Sequence, residues 1–312
     1  MAKAYGSELL KKTAEQSFWN TFLAYPDPFE GLVYRRQSTQ STDVLARLGA
    51  APMPEEWIGN AEVKDANEYS YSVENKAYIS AVRVGKKLIK FEQWGEIANL
   101  TSNLGSKAQA HKAKLASSLL EDGFSNTGDD GQYFFDGDHK DPGAEYSTSQ
   151  DNDLTSAITD KDAPTASEFA TAVRSIIDAF YGFKDDRGDP FGDFAVENPN
   201  NLVIMVPPGF ATVARQVLTA DTLSSAGDND LKGTFDLRVN RWLSNTDHFY
   251  GFIKSVSHKP IIVQEAGGIE LTDSMGSADH TQTGDVVYAS SWWGRVTYGQ
   301  WRTAVGYIFT TA

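Results

Sequence analysis

The sequence predicts an α+β fold, and three observations carry that prediction. Apolar residues alternate with polar ones over residues 68–84, the period of a strand. From Ile97 onward the spacing changes to three and four, the period of a helix. Further along, the apolar run Leu202 to Val206 stops at Pro207-Pro208, and the chain ends in an aromatic, strand-like stretch from Val286 to Phe309.

Residues 5–24 read as a helix, with Leu9, Leu10, Phe18, Trp19, Phe22 and Leu23 on part of the turn and Pro26 and Pro28 ending it. The polar stretch Arg35 to Asp43 follows as a tether, which suggests an N-terminal arm; a small packed helix is the alternative. Tyr69, Tyr71 and Val73 alternate with Glu68, Ser70, Ser72 and Glu74, and Glu74-Asn75-Lys76 supplies a turn. Ala77 to Val84 is β-branched and aromatic enough to return as the partner strand, so residues 57–90 are expected to form a projecting hairpin.

Ile97, Leu100, Leu104, Ala108, His111, Leu115 and Leu119 form one stripe of a helix that Gly123 terminates. A helix of about 25 residues is about 37 Å long, a backbone element, and Gly105 inside it marks a close contact or bend. Residues 123–165 are rich in Gly, Asp, Ser and Thr and read as an exposed excursion. Thr165 to Phe183 is a second helix and Phe210 to Leu218 a third, with strands at Phe235 to Val239, Phe249 to Val256 and Ile261 to Val263.

The 312 residues are 40% hydrophobic, enough for a core, and contain no cysteine, which removes disulfides, thiolate nucleophiles and Cys-ligated metals. The Met1 to Glu8 segment has no signal-peptide pattern and no window reaches the length of a membrane span, so a protein made in a cytoplasm is expected. The net charge of −14 argues against a protein whose main task is gripping phosphates. Residues 121–200 hold 19 acids against 5 bases and account for the whole imbalance. Upstream, Lys76, Arg83, Lys86, Lys87, Lys90, Lys107, Lys112 and Lys114 face only Glu92 and Glu96. In a self-assembling protein, this pattern places a basic element of one copy against an acidic one of the next.

Catalytic motifs are missing: there is no P-loop, G-x-G-x-x-G, G-x-S-x-G or H-E-x-x-H. Asp136-Gly137-Asp138-His139-Lys140-Asp141 is the best candidate for holding a cation, although it does not fit an EF-hand, and Asp151 to Asp162 has Ser156 where such a loop needs Gly. An α+β cytoplasmic enzyme with a metal-assisted site at Asp136, Asp138 and His139 is therefore the competing reading. Arg187-Gly188-Asp189 reads as an ordinary turn.

The order of elements resembles a tailed-phage major capsid protein, and more narrowly the Mu-type major head subunit (T protein) family. The residues that carry this are Ser41-Thr42-Asp43, Leu48-Gly49 with Pro52, Glu56-Trp57-Ile58-Gly59, Tyr69 to Lys76, Val82-Arg83-Val84, Leu119 to Gly123, and Tyr133-Phe134-Phe135-Asp136 with His139 and Asn152. Val206-Pro207-Pro208 and Lys259-Pro260 fit the same order. The resemblance implies the Hong Kong 97-type major capsid fold. Residues 1–56 would be the N-terminal arm and tether and 57–90 the E-loop hairpin. Residues 91–200 would form the peripheral domain with the spine helix and acidic insert, 201–265 mainly the axial domain, and 266–312 closing strands returning to the peripheral domain. It also implies a subunit without catalytic residues, cofactor or metal that assembles with itself into hexamers, pentamers and a shell around double-stranded DNA, in a virion. Portal, scaffold, maturation protease and any decoration protein would be separate chains. Tail-tube or decoration proteins are the other phage alternatives. Trp57, Gly59, Lys76, Arg83, Lys86, Lys87 and Lys90 are the candidates for contact between subunits.

Overall fold

A computed structural model describes residues 2–51, 68–91, 93–191, 201–224, 227–254 and 257–312. Its helices are α1 (Ala2–Ala24), α2 (Lys86–Lys90), α3 (Trp94–Glu121), α4 (Ala166–Gly182), α5 (Ala211–Thr219) and α6 (Ala278–Thr283). The strands are β1 (Val33–Gln37), β2 (Thr42–Leu48), β3 (Glu68–Glu74), β4 (Lys76–Val84), β5 (Asp153–Ile158), β6 (Leu202–Val206) and β7 (Thr222–Ser224), then β8 (Gly227–Asp228), β9 (Asp236–Val239), β10 (His248–Ile253), β11 (Ile261–Glu265), β12 (Glu270–Asp273), β13 (Val286–Tyr298) and β14 (Ala304–Thr311).

Two five-stranded sheets organise the chain. In the first, β13 pairs antiparallel with β4 along one edge and with β11 and β12 in succession along the other, while β1 adds parallel to β11. The even-numbered residues of β13, from Val286 to Tyr298, are buried and its odd-numbered ones are not, the alternation of a sheet covered on one face. The second sheet has the order β5-β14-β10-β6-β9. All five residues of β6 are buried, which explains its unbroken apolar run. Helix α4 covers this sheet. It begins with a reciprocal cap in which Thr165 Oγ1 accepts from the Glu168 N–H and the Glu168 carboxylate accepts from the Thr165 N–H, and it buries Phe169, Val173, Ile176 and Phe180.

The 28-residue α3, about 42 Å long, joins the two halves. Its N-terminal part packs Ile97 and Leu104 with Leu10, Phe18, Val84 and Tyr288, and its C-terminal part packs Ala113, Ala116 and Leu120 into the larger core. Asn240, beyond β9, donates to Ser117 Oγ at 2.8 Å and so ties the second sheet to the same helix.

Several expectations change. The N-terminal segment is the packed helix, not a loose arm: Leu10, Ala14 and Phe18 are buried and Thr21 Oγ1 lies 2.6 Å from Ser102 Oγ of α3. The expected hairpin between residues 68–74 and 77–84 does not form. β3 pairs antiparallel with β2, from Thr42 opposite Glu74 to Leu48 opposite Glu68, and β4 belongs to the first sheet. Asn75 makes the switch, because its Nδ2 donates to Ser38 Oγ and the Gln40 carbonyl (both 2.8 Å) and fixes the base of a separate β2–β3 ribbon. The excursion 123–165 is not purely exposed either: Phe134, Phe135, His139, Asp141 and Asn152 are buried, and it contains β5 of the second sheet. The closing strands split, since the corner at Trp301–Thr303 sends β14 into the second sheet rather than back with β13.

The α1–α3 crossing gives a test with a diagnostic sign. A Cβ at Gly105 would run into the Phe18 carbonyl oxygen. Gly to Ala normally stabilises a helix interior by about 1 kcal/mol. Here Gly105→Ala is expected to destabilise, by about 1–3 kcal/mol in urea unfolding, and to expose α1 to proteolysis; a stabilised variant would mean that the close crossing does not exist.

Candidate assembly surface and its ionic anchor

The ribbon meets the body through a buried ionic chain. Arg47 of β2 donates from Nε to Asp129 Oδ2 (2.7 Å) and from Nη2 to Asp141 Oδ1 (3.0 Å), and Asp141 Oδ2 accepts from Arg302 Nη2 at 2.8 Å. Arg302 is 2% exposed; its Nε donates to the Lys184 carbonyl, and its guanidinium lies 4.2 Å from the Trp301 ring centre. Burial alone would raise the Asp141 carboxyl, but Arg302 and Arg47 hold it below the usual carboxylate range. Asp129 moves the other way: burial pushes it up, and Arg47 offsets this only in part.

His139 sits beside this chain, fully buried and stacked on Trp301 at 4.0 Å between ring centres. Its Nδ1 faces Asp130 Oδ2 (2.6 Å) and its Nε2 faces Asn152 Oδ1 (3.1 Å). Asn152 Nδ2 donates to the Phe134 and Ala304 carbonyls, which fixes the amide orientation. Asp136 Oδ1 accepts from the Asp138 N–H, and the Asp138 carboxylate accepts from Ser149 and pairs with Lys140. Both nitrogens of His139 are thus engaged in holding the loop, and among the described residues no three His, Asp or Glu side chains converge as metal ligands. These bonds tie the Asp136–His139 segment into the fold.

The candidate contact residues divide into two groups. Trp57 and Gly59 lie outside the described residues. Lys76 and Arg83 stand near opposite ends of β4, opposite Gly294 and Val287, roughly 23 Å apart at the rise of a strand. Arg83 lies 3.7 Å from Asp285, whose carboxylate also accepts from the Lys86 N–H at 2.8 Å. Lys86, Lys87 and Lys90 make up most of α2, and among the described residues neither they nor Lys76 forms an ion pair. The structure brings Arg83 and the three α2 lysines together and leaves Lys76 at the far end. Sequence reasoning passed over Arg47 and Arg302, because nothing in the sequence shows which acids lie against either of them.

Asp153 on β5 is a second perturbed acid. Burial and the Asp151 carboxylate, with Asp136 adding and His248 opposing, raise it to about 6. The folded state therefore holds this proton more tightly than the unfolded chain. Stability contributed by protonation grows as pH falls from about 6 toward about 4, on the order of 1 kcal/mol once its half-exposure is discounted. Asp153→Asn should flatten that rise in urea titrations between these pH values; an unchanged profile would assign it to another group.

The α+β fold, with a long spine helix, two mixed sheets and a separate two-stranded ribbon, is that of phage capsid proteins. Residues 8–166, just over half of the chain, match the family described as Mu-like prophage major head subunit gpT, and the chain belongs to that family. It is 33% identical over 103 residues to the Mu-like prophage FluMu major head subunit of Haemophilus influenzae, and 27% identical over 114 residues to the major capsid protein of Escherichia phage Mu. These matches span 33% and 37% of the two relatives, about a third of their length, and 33% and 36% of this chain. In three dimensions it resembles the procapsid of bacteriophage JBD30, at a TM-score of 0.56 and 20% identity, over 98% of this chain and 75% of that one. That likeness establishes the Hong Kong 97-type capsid fold.

Proposed function

We propose that this chain is the shell-forming subunit of a tailed phage or prophage head, that it assembles with itself into hexamers and pentamers of a closed icosahedral shell, and that the shell encloses double-stranded DNA without reading its sequence. The observation that carries this reading is the match over residues 8–166 to the head-subunit family. The likeness of the fold to capsid structures supports it. The chain turns over no substrate of its own, assembles in the host cytoplasm, and leaves portal, scaffold, maturation and decoration functions to separate chains. In domain terms, α3 with the first sheet is the peripheral domain, the second sheet with α4 and α5 is the axial domain, and the ribbon is the E-loop. Sedimentation velocity tests it: assembled material far larger than a 34.2 kDa monomer is expected, and a monomer under every salt condition would overturn it.

The contact between copies is assigned to Trp57, Gly59, Lys76, Arg83 and the lysines of α2. Asp129, Asp130 and Asp141 are already engaged within the subunit, so the acids left for a neighbour include Asp122, Asp151, Asp160 and Asp178, which are exposed. Single exposed pairs contribute about 0–1 kcal/mol and are screened over about 10 Å at 0.1 M salt, but a shell repeats each one many times. Lys86→Glu, Lys87→Glu and Lys90→Glu together are expected to lower shell yield, with partial rescue by reversing those acids to Lys. An unchanged yield at low salt would remove these lysines from the interface.

A further inference from the structure

The β2–β3 ribbon is fastened to its own subunit in an unusual way. Leu45, Tyr69 and Val73 face the body and are buried, yet they belong to neither hydrophobic cluster of the described residues. Between the ribbon and the body runs a half-open cleft of about 190 Å³, lined by Tyr34, Leu45, Tyr71, Asp129 and Ile262 among others. A core element is close-packed; this contact is not. What holds it is polar: Arg47 on Asp129 and Asp141, the Tyr71 hydroxyl on the Tyr298 carbonyl, and the Ala50 N–H on Asp186 Oδ1 at 2.8 Å. Even here the fit is incomplete, because Asp129 Oδ1 is buried without a hydrogen-bond partner among the described residues. The base of the ribbon is pinned separately, through Asn75 to Ser38, Gln40 and Gln264. The ribbon can therefore leave the body without losing its root. Its other face already presents Val44 and Leu48, 58% and 67% exposed.

We propose that Arg47, with Asp129 and Asp141, is an ionic latch that holds the ribbon against its own subunit before assembly, and that release of the latch frees the ribbon to engage a second copy of the chain. The inference rests on the shell-forming reading above. Docked and released positions form a two-state element, and neighbours that bind only the released one shift the population toward it. The loosely packed, polar contact keeps the two states close in free energy. Tight apolar packing would commit the ribbon to one of them.

The chain contains no cysteine, so a lock can be introduced cleanly. The Ala50 backbone N–H donates to the Asp186 carboxylate, so the pair Ala50→Cys and Asp186→Cys places the lock at this contact, with formation of the disulfide checked by mass before assembly is scored. Oxidised, this variant is expected to lose at least about tenfold in shell yield relative to the same protein reduced, and reduction restores assembly. The reduced form controls for folding. Equal yields from the oxidised and reduced forms would overturn the latch. Independently of any shell, Arg47→Gln is expected to speed amide exchange of residues 43–48 and 69–73 by at least about tenfold, with β6 and β10 unchanged. Unchanged ribbon exchange would also overturn it. Failure of the unmodified chain to assemble would instead count against the shell-forming reading, and the exchange experiment would still decide the latch.

Discussion

Replacing residues 44–72 with a two-residue Asn-Gly turn is expected to abolish shells while leaving a folded body. The splice points are set by the ladder: Asp43 stands opposite Val73, so a tight turn closes the truncated ribbon without stretching the chain. The excised strands contribute to neither hydrophobic cluster of the described residues, and the root contacts of Asn75 remain. Asp141 keeps Arg302 as its partner after Arg47 is lost. Circular dichroism should retain the helical signal of α3 and α4, and electron microscopy should find no closed particles. A deletion that continued through residue 86 would behave differently, because it would remove β4 from the first sheet. If the short excision unfolds α3, the ribbon is part of the core; if it leaves shells intact, the ribbon makes no essential contact between copies.

The second large effect lies in the ionic anchor. Asp141→Ala leaves the guanidinium of Arg302, 2% exposed, without its carboxylate. Removing one member of a buried pair destabilises by about 3–5 kcal/mol, mostly the penalty of a buried unpaired charge. Urea unfolding at pH 7 should show a loss of that size, and Arg302→Met added to Asp141→Ala should recover part of it. Additive losses in the double variant would mean that the two groups do not act as a pair. The pH dependence follows from the direction of the shift. Asp141 titrates below its unfolded value in the folded state, so its contribution is complete above about pH 4 and disappears as pH falls through the lower, folded value.

Much of the fold was legible in the sequence where one period dominates. The stripe Ile97 to Leu119 foretold α3, the segment Thr165 to Phe183 foretold α4, and the Leu202 to Val206 run foretold a buried strand. What failed was partner choice. Tyr69, Tyr71 and Val73 alternate as a strand should, but alternation does not say which strand lies alongside. The turn read at Asn75 is a junction between two sheets, visible only through its bonds to Ser38 and Gln40. The excursion 123–165 misled through composition: its Gly, Asp and Ser content is that of a surface loop, while Phe134, Phe135, His139 and Asn152 are buried by residues more than a hundred positions away, such as Trp301 and Ala304. The α2 lysines were legible as a cluster because the five residues of α2 hold three lysines and no acid. Arg47 and Arg302 were not, because each is a lone base whose acids come from another part of the chain.

Negative-stain electron microscopy of the purified, unmodified full chain, across a range of salt and protein concentration, tests the shell-forming assignment most directly. Closed particles of uniform diameter built from five- and six-fold capsomers are the predicted result, and a field of dispersed monomers under every condition would contradict it.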